Sequence, residues 1–438
     1  MSSGISFSGL SSGVDTNSIV KQLMALERQP ITKIESQKSK VTARQSVHQE
    51  INTLLKTLRD KAKALLDTSA FAAKSATSSD AAIASATADS TAAAGAYNLV
   101  VTGLAKAHTT ASGASPAISA DTLHLTVGST TVNVSVAATD TLQGVADKIN
   151  GTSDTPVSAS VVNNKLVLIS KTTGATGGIT VTSDAGLAGA LGMTTTQAAT
   201  DATVTMNGLA VTASGNTITN AVNGVTITLA KEGSTTVTVA LDTKAIETKV
   251  KEFVDAYNAV NDNLSRATKY DTATKQAGTL QGDQALQSML SQIRTSATAQ
   301  VGALSGGTYD QLAQIGITTA TDRSGRLVID SSKLQKALLD NLSAVQNVFT
   351  KDDGNAVKDT NDGVAVRLSA MADSFSTGTL EPRLKGFTDT LGRMDKKIAD
   401  LEVVMTLKER RLKAQFAAME SAISRMKSQS VDFTSQLG

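Results

Sequence analysis

Between Leu384 and Met405 the chain sets a large apolar residue at intervals that alternate strictly between three and four: Leu384, Phe387, Leu391, Met394, Ile398, Leu401, Met405. On an α-helix this spacing draws one narrow apolar seam, the pattern of a coiled coil or bundle helix. Lys408 takes the next seam position, and the series resumes at Leu412, Phe416, Met419, Ile423 and Met426 with a shifted phase. That shift resembles a stutter, which locally unwinds a supercoil. The spacing predicts a helix over about residues 383 to 428, roughly 65–70 Å long. Such a helix is too long for one small domain to bury and needs a partner.

The other end of the chain offers that partner. Asp15 stands where an N-cap is expected, and Ile19, Leu23 and Leu26 form a stripe that Pro30 interrupts. Ile34, Val41 and His48 follow seven apart, and Val47, Ile51, Leu54, Leu58 and Leu65 continue at seam spacing. Ile246, Val250, Phe253, Tyr257, Val260 and Leu264 make another seam, and Leu286, Met289, Leu290 and Ile293 a shorter one. Ile51, Leu54, Leu58, Leu65, Ile246, Val250, Phe253, Tyr257, Leu391, Met394 and Ile398 are expected to form an intramolecular bundle core. Ile19, Leu23, Leu26, Ile34, Val41, Leu401, Met405, Leu412, Phe416, Met419, Ile423 and Met426 belong to thinner stripes, suited to packing against another chain. Ends of this kind are expected to order on assembly.

The middle of the chain differs in composition. Residues 80 to 240 hold 14 of the 80 charged residues, whereas 32 of the 59 threonines lie between 101 and 250. Threonine is β-branched and favours a pleated surface, so the middle reads as β-rich and the ends as helical. Strand pairs are predicted about Gly128-Ser129, Asn163-Asn164, Asn207-Gly208 and Asn223-Gly224. A short helix spans Thr141 to Asn150. Residues 68 to 94, rich in Ala, Ser and Thr, read as a linker or as weak strands. Ile315 to Asp330 reads as a hairpin turning at Asp322 to Gly325, with Asp330 capping a helix from Ser331.

What remains is mostly exclusion. The 438 residues suggest roughly three domains. A net charge of +2 gives no argument for nucleic acid or an anionic membrane, and 3% aromatics leaves few stacking platforms. With no cysteine there are no disulfides and no thiolate sites. No stretch approaches 18 consecutive apolar residues, and Met1 to Asn17 lacks the basic and apolar runs of a secretory signal. No phosphate loop can be drawn, and an EF-hand frame on Lys358 to Gly363 puts a lysine at the first ligand, so Asp352, Asp353, Asp359 and Asp362 read as a solvated loop. His48 is expected to be packed on a helix face, and His108 and His124 to sit at ordinary surface positions. No cofactor or metal site is expected. A hydrolase using His124 and a serine is carried as a rival.

The residues at the two ends resemble those of the flagellar filament cap family, also called hook-associated protein 2. The resemblance rests on Gly9-Leu-Ser-Ser-Gly13-Val-Asp15, Ile19-Val-x-x-Leu23-Met24, Glu27 and Pro30-Ile31 at one end. At the other it rests on Arg411-Leu-Lys-Ala-Gln415-Phe416-Ala-Ala-Met419-Glu420 and Met426-x-Ser428-Gln429-Ser430. Asn223 to Leu229 and Ile315 to Asp330 also look like that family, and Thr141-Leu to Ile149-Asn150 is similar to the short "IN" motif of flagellar axial proteins. Asp432-Phe433 departs from it, an aromatic followed by Leu being the family's pattern there.

The resemblance implies an α+β multidomain protein with terminal coiled-coil helices, a helical-bundle domain with a β-hairpin, and inserted β-rich head domains. The expected parts are a leg of 1–42 with 405–438, a bundle of 43–69 with 243–404, one head of 70–105 with 200–242, and a second head of 106–199. It implies a non-enzymatic cap at the filament tip that retains flagellin and promotes its folding and polymerisation. Its partners would be itself, in a ring of about five or six copies, flagellin, hook-filament junction proteins, and an export chaperone at the C-terminal segment. It would leave the cell through the flagellar type III apparatus with no cleaved signal. A tip-located adhesin binding glycans through its β domains is the alternative function, and a cytoplasmic coiled-coil scaffold a further one.

Overall fold

The computed structural model describes residues 15–271 and 275–436, the last six as backbone only. The Gly9 to Val14 part of the N-terminal motif lies outside the described residues. The chain forms two compact units, one of residues up to 67 and from 248 onward, the other of Thr68–Glu247. Helices α1 (Thr16–Glu27) and α2 (Gln29–Leu66) open the first. Asp15 Oδ1 accepts from the Ser18 N–H at 3.0 Å, as an N-cap should. Pro30 sits in the first turn of α2, where its missing N–H costs nothing.

The second unit holds strands β1 (Lys74–Ser78), β2 (Ala84–Ala88), β3 (Gly95–Gly103), β4 (Ala107–Ala111), β5 (Asp121–Val127) and β6 (Thr130–Val136). It continues through α3 (Leu142–Gly151), β7 (Val157–Val162), β8 (Lys165–Thr173), β9 (Ile179–Ser183), α4 (Leu187–Leu191) and β10 (Thr194–Gln197). It closes with β11 (Ala202–Met206), β12 (Leu209–Ala213), β13 (Thr217–Val222), β14 (Val225–Leu229) and β15 (Gly233–Leu241). Residues 74–78 and 84–88 are therefore strands rather than a linker.

Two separate cores form in this unit. Sheets β1-β15-β3-β11-β12 and β13-β14-β2 enclose Leu99, Val204, Ile227 and Val237, among others. Sheets β10-β4-β8-β7 and β6-β5-β9 enclose Leu123, Leu125, Leu166 and Leu168 together with Val145 and Ile149 of α3. The turns are local chemistry: Asn163 and Asn164 both adopt positive φ, as does Asn207 before Gly208, which suits two-residue hairpins of the right twist. Within the "IN" pair, Ile149 is fully buried, while the Asn150 amide pairs twice with the backbone of Ala159 on the outer edge of β7, at 2.7 and 2.9 Å. One residue fills the core and its neighbour closes a sheet edge.

The chain then forms α5 (Thr243–Thr268), β16 (Tyr270–Asp271), β17 (Gln276–Ala277) and α6 (Gln284–Thr298). The hairpin β18 (Ile317–Thr319) and β19 (Leu327–Ile329) follows, then α7 (Ser331–Asp340), α8 (Leu342–Thr350) and α9 (Val364–Ser374). Asp330 caps α7 by accepting from the Lys333 N–H at 3.1 Å. Side chains of α5 hold the hairpin. Tyr257 donates to the Gly325 carbonyl at 3.0 Å, and the Asn258 amide pairs twice with Leu327, at 2.9 and 2.8 Å. Burial pushes the Tyr257 hydroxyl up to about 12. Gly325, at φ +78°, has the Arg294 guanidinium where a Cβ would stand, so no other residue fits without displacing that side chain.

A π-helical turn (Phe375–Leu380) carries α9 without a break into α10 (Glu381–Gln436). Pro382 explains it: proline cannot donate to the Gly378 carbonyl and crowds it, and a widened turn relieves both faults. At the start of α9 the buried Arg367 donates to the carbonyls of Ser296 (2.6 Å), Ala299 (2.5 Å) and Asp362 (3.2 Å), with longer contacts to Gln300 and Thr360 (both 3.4 Å). Burial lowers the guanidinium to about 10, against the upward pull of Asp362 and Asp359. Replacing Arg367 with Met should strand those carbonyls and lower unfolding free energy by about 3–5 kcal/mol. Urea unfolding checks this, and an unchanged midpoint would show that the fan of bonds is dispensable.

Candidate assembly surface on the paired terminal helices

α2 and α10 run antiparallel, and their cross-helix pairs show the register. Arg28 bonds Glu402, Lys38 bonds Asp395, Gln45 donates to Thr388 at 3.0 Å, and Lys56 to Glu381 at 3.1 Å. As one number rises from 28 to 56 the other falls from 402 to 381, the order of an antiparallel pair. Arg59 continues the series with Asp373 of α9 at 3.0 Å. Lys408, the odd residue of the seam, donates to Glu27 of α1 at 2.6 Å. The charge therefore has a carboxylate partner across the pair, and α10 continues through it.

Burial along this pair is graded. On α2 the inner face consists of His48, Ile51, Asn52, Leu55, Leu58, Ala62 and Leu65, all buried. Ile51, Leu58 and Leu65 lie in the core as the spacing predicts, but Leu54 is only half-buried and Leu55 takes the interior place. The reason is that one face of α2 meets several helices, which widens a seam into a stripe. Ile246, Val250, Phe253 and Tyr257 are fully buried. Leu391, Met394, Ile398, Leu401, Leu412, Phe416 and Ile423 are half-buried, and Met405 is buried. Ile34 and Val41 are half-buried, while Ile31, which the seven-residue spacing passed over, is buried.

Toward the ends the seam shifts. In α1 the buried side chains are Thr16 and Val20, with Ile19 half-buried. Leu23 and Leu26 instead stand 40% and 65% exposed, and Met419 and Met426 are also exposed. The apolar stripe of α1 is thus wider than one partner helix can cover. Val403, Val404 and Leu407 of α10 are exposed in the same stretch, close in register to Leu26. A cleft of about 310 Å³ lies between α1 and α10, lined by Val20, Met24 and Arg28 on one side and by Glu409 and Lys413 on the other. This stretch thus leaves several large apolar side chains of α1 and α10 exposed beside a cleft.

His48 is packed, as its place on the helix implies. Its Nδ1 lies 2.9 Å from the Arg44 carbonyl, its ring meets Phe387 edge-on at 5.0 Å, and its Nε2 is buried with no hydrogen-bond partner. Burial holds its pKa below the ordinary value, against the raising effect of the Arg44 carbonyl. It borders a cavity of about 540 Å³ with Asp283 and Arg383, which pair at 2.7 Å.

The other candidates for chemistry are also engaged. His124 Nδ1 lies 2.7 Å from the Asn133 amide oxygen and Nε2 2.9 Å from Asp184, so neither ring nitrogen is placed to take a serine proton. Asn133 first and Asp184 second raise its pKa. His108 Nδ1 accepts from the Ile179 N–H at 3.0 Å, and its Nε2 lies 3.1 Å from Thr195 Oγ1. Asp352, Asp353 and Asp362 come together, but Lys358 Nζ stands 2.6 Å from Asp352 and 3.9 Å from Asp362. Asp362 is not solvated as the loop composition suggested. It is fully buried, accepting the Asp353 and Asp359 N–H groups at 3.1 and 2.9 Å.

The chain thus pairs its two helical ends and carries a β-rich unit inserted between them in sequence. Family models match along most of that chain. "Flagellar hook-associated protein 2 N-terminus" matches residues 12–108, its "C-terminus" counterpart matches 199–428, and "Flagellin hook IN motif" matches 122–172. The chain belongs to the flagellar hook-associated protein 2 family. It is 31% identical to flagellar hook-associated protein 2 of Escherichia coli K12, covering 99% of this chain and 98% of that one. It is 30% identical to the A-type protein of Pseudomonas aeruginosa, covering 97% and 96%. The crystal structure of the D1-D2-D3 domains of the E. coli flagellar cap protein FliD superposes with a TM-score of 0.59 at 30% identity, covering 78% of this chain and 99% of that one.

Two substitutions separate core from surface. Leu55→Ala should cost about 2–5 kcal/mol of stability, whereas Leu26→Ser should stay within about 0.5 kcal/mol; urea unfolding of both variants checks this. A neutral buried His48 also ties stability to pH. The unfolded chain, with an ordinary histidine pKa of about 6.5, binds a proton before the folded one does. Stability should therefore fall as pH drops below that value, until the lowered folded pKa is passed. Chemical unfolding at pH 7.5 and 5.5 should show a smaller loss for His48→Leu than for the parent chain.

Proposed function

We propose that this protein caps the distal tip of the flagellar filament, retaining exported flagellin and promoting its folding and polymerisation. The observation that carries this reading is the near-full-length match to flagellar hook-associated protein 2, together with a leg whose outer stretch leaves Leu23, Leu26, Val403, Val404 and Leu407 uncovered. In this reading the outer leg, 1–42 with 405–438, contacts filament subunits and neighbouring copies in a ring of about five or six. The bundle residues Ile51 to Leu65 and Ile246 to Tyr257 hold each copy together. The β-rich unit forms the plate over the channel. Export runs through the flagellar type III apparatus, with a chaperone on the C-terminal segment and hook-filament junction proteins as early neighbours.

The outer stripes offer limited apolar area, so each contact in this reading is weak. That suits a cap that must shift its footing each time a subunit is added beneath it. No step of this role calls for catalysis.

Deleting the gene in its host should release monomeric flagellin into the medium and leave filaments short or absent, with the wild-type gene restoring them. Deleting only 406–438 should give a folded protein with the same leak. Normal filaments in the gene deletion would remove the capping role and bring forward a glycan-binding role of the β unit.

A further inference from the structure

The sheet β1-β15-β3-β11-β12 ends at β12. β12 pairs with β11 through the two-residue turn Asn207-Gly208, which joins Met206 to Leu209, Val204 to Val211 and Ala202 to Ala213. In that register the backbone N–H and C=O groups of Ala210 and Thr212 point away from β11. The strand reads Leu-Ala-Val-Thr-Ala, with no charge, no proline and no bulge, and none of its residues is buried.

Natural sheets usually disarm such an edge. Here Asn150 plugs β7, and β10 and β13 carry irregular register. β12 carries neither device, and its turn is tied to β3. The Asn207 side chain accepts from the Asn98 N–H at 2.8 Å, and the Asn207 N–H donates to the Asn98 carbonyl at 2.9 Å.

Leu209 gives a second, independent indication. It shares the core-facing side of β12 with Val211 and Ala213, which pack on the sandwich core, yet it remains 73% exposed. The sandwich stops one strand short of covering its own leucine. A strand laid beside β12 would bring a side chain within about 5 Å of it.

We propose that the β12 edge takes an added strand from an extended, uncharged segment of the exported flagellin chain. This rests on the capping reading and names where the plate would hold its client. The edge recognises backbone rather than sequence, and it sets no charge requirement on its occupant. A chain that has just left the channel unfolded is the partner whose N–H and C=O groups are unpaired. Main-chain pairing then supplies affinity, and Leu209 selects an apolar residue on the core-facing side.

The test places a photo-crosslinking benzophenone amino acid at position 210 of the full-length chain, in the host during filament growth, with blots for flagellin and for this chain. A flagellin adduct is expected. Thr212→Pro removes an outward donor while sparing the bonds to β11. It should lower the adduct about tenfold, equivalent to about 1.4 kcal/mol, with the thermal unfolding curve unchanged. Leu209→Ser, at an exposed position, should lower it as well and serves if the proline variant unfolds. An adduct only to a second copy of this chain, no adduct, or an adduct indifferent to both variants overturns the proposal. If the gene deletion leaks flagellin but position 210 gives no flagellin adduct, strand addition is wrong and capping stands. If the deletion does not leak, capping itself is wrong.

Discussion

The antiparallel pairing of α2 with α9 and α10 is the constraint on which the rest of the chain depends. It joins segments about three hundred residues apart in sequence, so its closure carries an entropic cost that local helix formation cannot repay. The repayment comes from the C-terminal half of α2, where Ile51, Leu55, Leu58, Ala62 and Leu65 are buried almost completely. Once those residues are in place, α9 must arrive with Arg367 inside, and Pro382 must be accommodated by the π-helical turn. Ser376 of that turn donates to Asn52 of α2 at 2.6 Å, both side chains buried, so the widened turn is tied back to the helix it faces.

The charged pairs along the same interface do something different. Arg28–Glu402, Lys56–Glu381 and Lys408–Glu27 are each partly exposed, and pairs of that kind contribute little to stability. Their value lies in register. A slide of one turn along the seam would leave apolar contacts of similar quality but place several of these charges without partners. A thin, repetitive seam is the situation in which such a marker is needed, and Lys408 at a seam position is its clearest case.

Much of this was legible because it is periodic. The alternation from Leu384 to Met405 announced α10, and the Asn-Gly and Asn-Asn pairs announced the hairpins. Asp15, Thr141 and Asp330 announced helix starts. What escaped has physical causes. Leu55 and Ile31 were passed over because seam spacing describes a helix with one neighbour, and α2 has several. In 68–94 small residues make strands whose partners lie far off in sequence: Ala84 to Ala88 pairs with Val225 to Leu229. The Arg367 fan, and the amides of Asn150, Asn216 and Asn258 that each pair twice with one backbone residue, leave no mark at the sequence level. Nothing local distinguishes an asparagine that closes a sheet edge from one in solvent. For the surface on the leg, the stripe residues were readable, but which of them stay bare was not. That depends on how much width α1 and α10 cover for each other.

The grading of burial along the leg has a direct energetic meaning. Hydrophobic stabilisation scales with apolar area removed from water, and most of it lies in the C-terminal half of α2, where Ile51, Leu55, Leu58 and Leu65 are buried together; farther out, Ile31 and Val20 are buried singly among half-buried Val41 and Ile34 and exposed Leu26 and Leu23. Local opening free energy should therefore be lower along α1 and the first turns of α2 than along the C-terminal half of α2, since fewer apolar contacts offset the same backbone entropy cost. A helix pair built this way is secure where it meets the bundle and adaptable where it is bare.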